Sequence, residues 1–324
     1  MSYYTERGIF IKQEGTWGTQ ATPASTDVIN YLLSYEATSA ENRADEFVIG
    51  GARDTRSRAW LQREVTGALE YQPITGRIFY YALGKAAGGS IPAYGEAASI
   101  PCTITPDSVV PGLTIWREIR QPEEWVQTWG NKIDRLELVI EQGEDITCSV
   151  DLPAKDMDNA VQTWMTPDID FTLFPMAFHN CSVKYINPGG TLTVDHLRSC
   201  RIEIRNNLEA RFSAGAQAIT CIELKEAGLE VTGRLVVDYP FSTFQTYILG
   251  RNEGTLTVEI GTTANGTMTI ALNNIIFEEF PDAITGLDAM EMDLSFIARK
   301  PSGGDVITVV VNHPTVATLG GLEY

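Results

Sequence analysis

The sequence predicts a mainly β protein made of two tandem domains, each a β-sandwich or small barrel flanked by one short helix. Apolar and polar residues alternate with period two more often than they follow helical spacing, which is typical of strands with one buried face. One 21-residue segment also occurs twice, as EVTGALEYQPITGRIFYYALG at 64–84 and as EVTGRLVVDYPFSTFQTYILG at 230–250. Eight aligned positions are identical, where about one would match by chance. The chain is therefore interpreted as a duplication with an offset of 166 residues.

Turn signals between alternating runs predict β-hairpins in both copies. The strongest is Asn265-Gly266, a two-residue turn between two alternating runs. Hairpins are predicted at residues 135–152, 200–213, 255–272 and 291–312. Each copy is expected to end in a hairpin, at 132–152 in the first and at 290–311 in the second.

Apolar residues after each EVTG strand follow helical spacing instead of alternation. They are Ile78, Tyr81 and Ala82 in the first copy and Phe244, Tyr247 and Ile248 in the second. A glycine, which suits a helix C-terminus, ends both segments. One short helix per copy is therefore expected, in a first domain at 1–165 and a second at 166–324, docked side by side.

The charge balance is strongly acidic, with 24 Lys and Arg against 42 Asp and Glu and a formal net charge of −18. Such a chain is a poor candidate for holding phosphate backbones, because that binding depends on Lys and Arg. A well-solvated surface, a surface that stays near nucleic acid without holding it, and adaptation to salt would each produce this balance. No membrane-spanning stretch and no N-terminal signal peptide are recognised, so folding in a cytoplasm is expected.

The residue types that usually carry catalysis or bind metals occur without a recognisable spacing. His179, His196 and His313 are isolated, and the five cysteines form no Cys-x-x-Cys pair, so buried reduced thiols are expected. Acidic clusters at 156/158, 168/170 and 278/279/282 stand beside Pro or Gly and are interpreted as solvated loops. The sequence therefore predicts no enzyme, no cofactor and no metal site.

Several motifs, taken in order, resemble the tail tube (major tail) proteins of long-tailed phages and related viruses. The opening segment KQEGTWGTQATP is similar to a pattern of that family, E-x-T-x-G-T-x-A-x-P, through Glu14, Thr16, Gly18, Thr19, Ala21 and Pro23. The second copy is also similar, at RIEIRNNL (201–208) and EVTGRL (230–235). The resemblance covers most of the chain and points to the duplicated-domain type of tail tube protein.

The resemblance implies a virion structural protein of the tail, assembled in the host cytoplasm. Its domains would join their sheets edge to edge into rings, and the rings would stack into a tube through which double-stranded DNA passes. A duplicated domain implies homotrimeric rings with pseudo-sixfold symmetry. The implied partners are the chain itself, a tape measure protein and tail-tip or terminator proteins, with no membrane. Ring closure would also remove exposed sheet edges.

An acidic lumen would repel DNA phosphates and so prevent the DNA from adhering to the wall of the tube. Because residues of a closed tube alternate inward and outward, acids on alternating strands are candidates for that lining. The candidates are Glu137, Glu141, Glu203, Glu259, Glu291 and Asp293. A shift of one residue in register would invert the set, and acids that face outward would only keep the virion soluble.

A charged insert at residues 39–61 precedes the first EVTG, and its counterpart before the second EVTG is interpreted as shorter. The insert is expected to contact the next ring, and a plain surface loop is the other interpretation. Its candidate contact residues are Asn42, Arg43, Asp45, Glu46, Arg53, Asp54 and Arg56.

Two other classes of protein are compatible with the sequence. One is a tail terminator, tail-tip or baseplate ring protein, which would not polymerise alone. The other is a non-viral β-sandwich binding module, for which a tandem repeat that carries a helix is harder to explain.

Overall fold

The computed structural model describes residues 9–29, 32–46, 57–72, 76–87, 102–120, 124–161, 176–187, 190–194, 196–214, 219–224, 228–238, 253–262, 266–278 and 291–312. The strands of the first half are β1 (Ile9–Gln13), β2 (Leu32–Glu46), β3 (Ser57–Tyr71), β4 (Gly84–Ala87), β5 (Cys102–Pro106), β6 (Leu113–Arg120), β7 (Glu124–Asn131), β8 (Arg135–Glu141), β9 (Thr147–Ala154) and β10 (Asp156–Val161). The strands of the second half are β11 (Cys181–Asn187), β12 (Gly190–Thr193), β13 (Leu197–Arg205), β14 (Leu208–Arg211), β15 (Cys221–Leu224), β16 (Glu230–Asp238), β17 (Gly254–Thr262), β18 (Gly266–Phe277), β19 (Glu291–Ala298) and β20 (Ile307–Asn312). The mainly β class predicted from the sequence is confirmed.

The α-helix predicted after the first EVTG strand is present as α1 (Arg77–Leu83). Five of its seven residues are buried, so it packs one broad apolar side against the core. Gly84 ends the helix with φ 95°, a left-handed conformation that glycine adopts without steric cost. The second predicted helix, around residues 244–248, and the predicted domain boundary near residue 166 lie outside the described residues.

One sheet of fourteen strands joins the two halves of the described chain. Its main path runs β2-β3-β9-β8-β13-β16-β19-β18-β17-β11-β12, and β20, β5 and β4 extend it from β18. The halves meet where β8 pairs antiparallel with β13, from Arg135 opposite Arg205 to Glu141 opposite Ser199. The seven strands from β2 to β19 on this path are called the joint sheet below.

A second layer packs on the joint sheet in each half. In the first half it is the separate four-stranded sheet β1-β6-β7-β10. In the second half it consists of β11, β17, β20 and most of β18. β18 pairs with β17 and β20 over most of its length and with β19 only at Ile275, Ile276 and Phe277. The strand changes layer at Asn274, whose φ of 47° is uncommon for a residue other than glycine.

The apolar core lies between these layers and follows from the period-two pattern. On β8 the residues Leu136, Leu138 and Ile140 are all 1% exposed or less, and they belong to one cluster with residues of both halves. A smaller cluster of Phe10, Val28, Trp116 and Trp125 lies between the first-half outer layer and the segment that follows β1. Since one cluster spans both halves, the two predicted domains share their main core.

Two of the four predicted hairpins are confirmed and two are wrong. β8 and β9 pair with each other, and so do β17 and β18, up to Thr262 opposite Gly266. The predicted hairpin at 200–213 is wrong, because β13 pairs with β16 and β8, whereas β14 pairs with β15. The predicted hairpin at 291–312 is also wrong, because β19 pairs with β16 while β20 pairs with β18 and β5. In both errors, strands adjacent in sequence lie in different sheets or layers.

The insert before the first EVTG is not longer than its counterpart. Ser39 pairs with Val65 and Ile204 pairs with Val231, so residues 40–64 and residues 205–230 are the corresponding connections, of similar length. The first extends as a hairpin of β2 and β3, whereas the second folds into the separate β14–β15 hairpin. The expected loop at 156/158 is likewise a strand, β10.

Candidate assembly surface

The joint sheet has one face in the core and one polar face. Residues opposite one another in the pairing register share a face, which places the charged side chains of its strands together. Acids outnumber arginines on the described part of this face. The acids are Glu36, Glu64, Glu70, Glu137, Glu141, Asp151, Glu203, Glu230, Asp238 and Asp293, and the arginines are Arg135, Arg198, Arg201, Arg205 and Arg234.

The arginines concentrate where the two halves meet. The Arg135 guanidinium lies 2.6 Å from the carboxylates of both Glu137 and Glu203, so it connects β8 to β13. Arg201 lies 3.1 Å from Glu137, and Arg205 lies 2.5 Å from Glu203. Each carboxylate thus contacts two arginines, and this pairing satisfies the two acids, whose side chains are only 11% and 18% exposed, whereas Arg201 and Arg205 are about half exposed to water.

This network shifts the pKa values of Glu203 and Arg135. Burial raises the pKa of the Glu203 carboxyl, but hydrogen bonds from Arg205 and Arg135 outweigh burial and lower that pKa overall. Burial works against the charge of Arg135, yet the hydrogen bond to Glu203 and the nearby acids raise the pKa of its guanidinium. The contact between Arg135 and Glu203 therefore favours the charged forms of both groups.

Among the predicted lumen residues, Glu137, Glu141, Glu203 and Asp293 share the polar face of the joint sheet. Glu259 does not, because it lies on β17 in the second layer, where its carboxylate is 2.8 Å from Lys184. Glu291 is at the register position opposite Asp238 at the start of β19.

The residues proposed for inter-ring contact divide into two groups. Asn42, Arg43, Asp45 and Glu46 lie on β2, whereas Arg53, Asp54 and Arg56 lie outside the described residues. In that part of the hairpin, residues 57–64 of β3 pair with β2, and β9 pairs with β3 only from Val65 onward. Residues 40–46 and 57–64 therefore form a two-stranded ribbon that extends beyond β9, and this ribbon is called the distal ribbon below. At its base, Arg63 lies 2.8 Å from the Asp156 carboxylate and donates to the Met157 carbonyl of β10 at 2.8 Å.

Polar side chains also fasten the second half to the first. The side-chain amide of Asn206, 3% exposed, donates to the carbonyls of Ala82 at 2.9 Å and Ile133 at 2.8 Å. The Ala82 carbonyl belongs to the last turn of α1, where helical acceptors need outside donors. Lys132 donates to the Ile222 carbonyl, and Asp134 accepts from the backbone of Leu208.

The opening motif holds the N-terminal segment against the outer layer through a buried acid. The Glu14 carboxylate, in a residue 5% exposed, accepts hydrogen bonds from Gly18 N at 2.6 Å, Thr114 Oγ1 at 2.9 Å and Gly130 N at 2.7 Å. The Trp17 indole donates to the Gly130 carbonyl at 3.0 Å. Glu14 and Trp17 of the motif therefore have a structural role, because they hold residues 14–29 against the outer layer; this set of contacts is called the Glu14 fastening below.

No site for a metal ion is found in the described part of the chain, since it contains no group of three or more His, Cys, Asp or Glu placed to hold one. None of the helices there is long and apolar enough to cross a membrane. An open cleft of about 470 Å³ lies between the β14–β15 hairpin and the polar face, lined by residues that include Glu36, Thr66, Pro153, Leu208 and Ile222.

Sequence reasoning missed the arginines of the junction. Their signal was present as opposite charges two residues apart, Arg135 with Glu137 and Arg201 with Glu203. Such spacing places both charges of a pair on one face of a strand. Only the pairing of β8 with β13 brings the charged pair of one strand next to that of the other.

One comparison with known proteins gives a match over most of the chain. A model of the family described as phage tail tube protein matches residues 6–298, which include the Glu14 fastening, the joint sheet and both EVTG strands. A comparison with curated proteins found no match. Because the family match covers most of the chain, this chain belongs to the phage tail tube protein family.

Proposed function

We propose that this chain is a non-catalytic structural protein that closes into rings, and that the rings stack into the tail tube through which the phage genome passes. The observation that carries this proposal is the joint sheet, which already continues from one half of the chain into the other through the pairing of β8 with β13. The same edge-to-edge joining between chains would close a ring.

The pairing scheme of the two halves supports a duplicated domain. The pairs β1–β6, β2–β3, β3–β9, β6–β7 and β7–β10 of the first half have the counterparts β11–β17, β13–β16, β16–β19, β17–β18 and β18–β20 in the second. The register agrees as well, since Val65 pairs with Ala154 and Val231 pairs with Ala298. We infer domains at 1–165 and 166–324, and three chains would then supply six domains to a homotrimeric ring.

The open edge of β2 supports ring closure by a second chain. Within the described residues β2 ends the sheet and pairs with β3 alone, whereas its counterpart β13 pairs on both sides. An unpaired edge strand is a template for another strand. In the ring, the second domain of the next chain would occupy this edge as β8 occupies the edge of β13.

The excess of acids on the polar face supports a conduit for DNA. If this face lines the lumen, Glu137, Glu141, Glu203 and Asp293 would contribute to a wall that repels phosphates. Glu259 would lie away from that wall, since it is in the second layer.

The distal ribbon supports stacking between rings. Beyond the contact of Arg63 with β10, the described part of the ribbon has only two strands, and an isolated two-stranded ribbon is at best marginally stable in water. The ribbon is therefore expected to rest on a partner. We infer that it contacts the next ring of the tube.

The tube would assemble in the host cytoplasm. Tape measure, tail-tip and terminator proteins would then contact it at its lumen and ends.

Negative-stain electron microscopy of the purified protein at high concentration tests the proposal. Tubes are expected. Single rings that never elongate would favour a terminator, tail-tip or baseplate ring protein, and monomers at every concentration would favour a binding module.

Deletion of residues 42–56 tests the role of the distal ribbon. The variant is expected to give folded subunits and rings that do not elongate. Normal tubes from this deletion would contradict the stacking role without affecting ring closure.

A further inference from the structure

The two halves of the chain are joined in the second layer as well as in the joint sheet. β5 of the first half pairs antiparallel with β20 of the second half, with Thr103 opposite Val310, and β4 pairs with the other edge of β5. The second layer of the second half is therefore extended by two strands that the first half supplies. Because β4 begins where α1 ends, α1, β4 and β5 are together called the α1–β5 brace below.

The α1–β5 brace packs against both halves. Ile104 of β5 is fully buried in the core that the two halves share. A Cβ on Gly76, the N-cap residue of α1, would collide with the Val311 side chain, so the helix begins in direct contact with β20. On the side of the first half, the Tyr80 hydroxyl of α1 donates to the side-chain oxygen of Gln13 in β1 at 3.0 Å. The brace therefore spans the distance from β1 to β20.

The second half has no counterpart of β4 and β5. Gly84 corresponds to Gly250 in the repeat, and β6 corresponds to β17 in the pairing scheme of the two halves. β6 begins 29 positions after Gly84, whereas β17 begins four positions after Gly250. The three residues at 251–253 are too few for two strands and a turn. The brace is therefore an addition to the first half alone.

A pairing in one layer leaves the angle between the two halves variable, because neighbouring strands tolerate rotations of about −10 to −35° relative to one another. The pairing of β8 with β13 is such a joint in the joint sheet. A second pairing in a layer about 10 Å away removes most of this freedom, because both pairings must be satisfied at the same angle. In a closed ring of six domains that angle matters, since each domain turns by about 60° relative to the one before it.

We propose that the α1–β5 brace fixes the angle between the two halves and thereby sets the curvature at which the ring closes. This inference rests on the proposed ring. Each chain would enter assembly as a preformed arc of two domains, and the second half of a neighbouring chain would supply no equivalent brace. A chain without the brace would keep the pairing of β8 with β13 but would bend over a range of angles.

Like charges on β5 and β20 test the brace without opening the core. Thr103 and Val310 lie opposite each other, and both are half-buried on the face turned away from the core. The like-charge variant Thr103→Glu with Val310→Glu is expected to weaken the pairing, because like charges directly opposite one another are destabilising. The matched control is the opposite-charge variant Thr103→Lys with Val310→Glu, which changes the same two positions but favours pairing.

Hydrogen-exchange mass spectrometry reports the pairing of β5 with β20, and negative-stain electron microscopy reports the shape and diameter of the rings. In the like-charge variant, the amides of residues 102–106 are expected to exchange about fivefold faster than in the opposite-charge variant. The like-charge variant is expected to give open arcs or rings of mixed diameter, and the opposite-charge variant is expected to give the rings of the unmodified protein.

A shortened variant removes the pairing altogether. Residues 85–111 are replaced by Arg-Asn-Glu, the three residues that follow Gly250 in the second half. Circular dichroism verifies that the shortened subunit keeps a β structure, and arcs or rings of mixed diameter are again expected.

The possible failures are distinguishable. Ring diameters that do not differ between the like-charge and opposite-charge variants would overturn this inference and leave the proposed function standing. Closed rings of the unmodified diameter from the shortened variant would do the same. No rings or tubes from the unmodified protein at any concentration would overturn the proposed function and this inference with it.

Discussion

Replacing Glu14 by alanine is expected to destabilise the free subunit by about 3–5 kcal/mol. The buried carboxylate accepts three hydrogen bonds, from Gly18 N, Thr114 Oγ1 and Gly130 N. Hydrogen bonds to a charged group contribute about 1.5–3 kcal/mol each, and donors left buried without a partner add a similar cost. The expected loss is smaller than the total of these contributions, because the Gly18 amide is only partly buried and can bind water once the carboxylate is gone.

The substitution Glu14→Gln removes the negative charge but keeps the size and shape of the side chain, so it measures the effect of the charge. Glu14→Gln keeps one acceptor oxygen but turns an NH₂ group toward at least one of the donors, so about 2–3 kcal/mol is expected. Equilibrium urea unfolding of the monomer, followed by tryptophan fluorescence, suits this region because Trp17 bonds to Gly130 beside the carboxylate. The matched control is Glu144→Gln in the exposed β8–β9 turn, which is expected to change stability by less than about 0.5 kcal/mol. If Glu14→Ala were as mild as this control, the fastening role of the motif would be refuted.

Three further predictions concern the junction and the core. Asn206→Ala is expected to cost about 2–4 kcal/mol in urea unfolding, since two buried carbonyls lose their donor, and a change below about 0.5 kcal/mol would contradict its role between the halves. Burial raises the pKa of the Cys148 thiol to about 12 and also raises that of Cys200, so iodoacetamide at pH 8 is expected to label neither before unfolding, as mass spectrometry would report. The folded-state pKa of Glu203 is lowered, so its contribution to stability is present above the ordinary carboxyl pKa and is lost as pH falls below it. Glu203→Gln is therefore expected to lose less stability than the unmodified protein between about pH 6 and about pH 3, and an equal loss would contradict the assignment.

The sequence alone determined the features that depend on neighbouring residues. Alternation predicted the β class, the Gln-Gly-Glu-Asp and Asn-Gly turns predicted the hairpins β8–β9 and β17–β18, and Gly84 predicted the end of α1. These signals are readable because turn chemistry and side-chain period act over a few residues.

Only the tertiary structure decided which strands meet. Nothing local separates β19 from β20, yet they lie in different layers, because β19 completes the joint sheet beside β16 while β20 pairs with β18 and β5. The same holds for Arg135 and Glu203, which are far apart in sequence and 2.6 Å apart in space. Strand partners far apart in the chain are selected by the burial of a whole sheet face and by the satisfaction of backbone hydrogen bonds, and both are properties of the assembled sheet instead of any short segment.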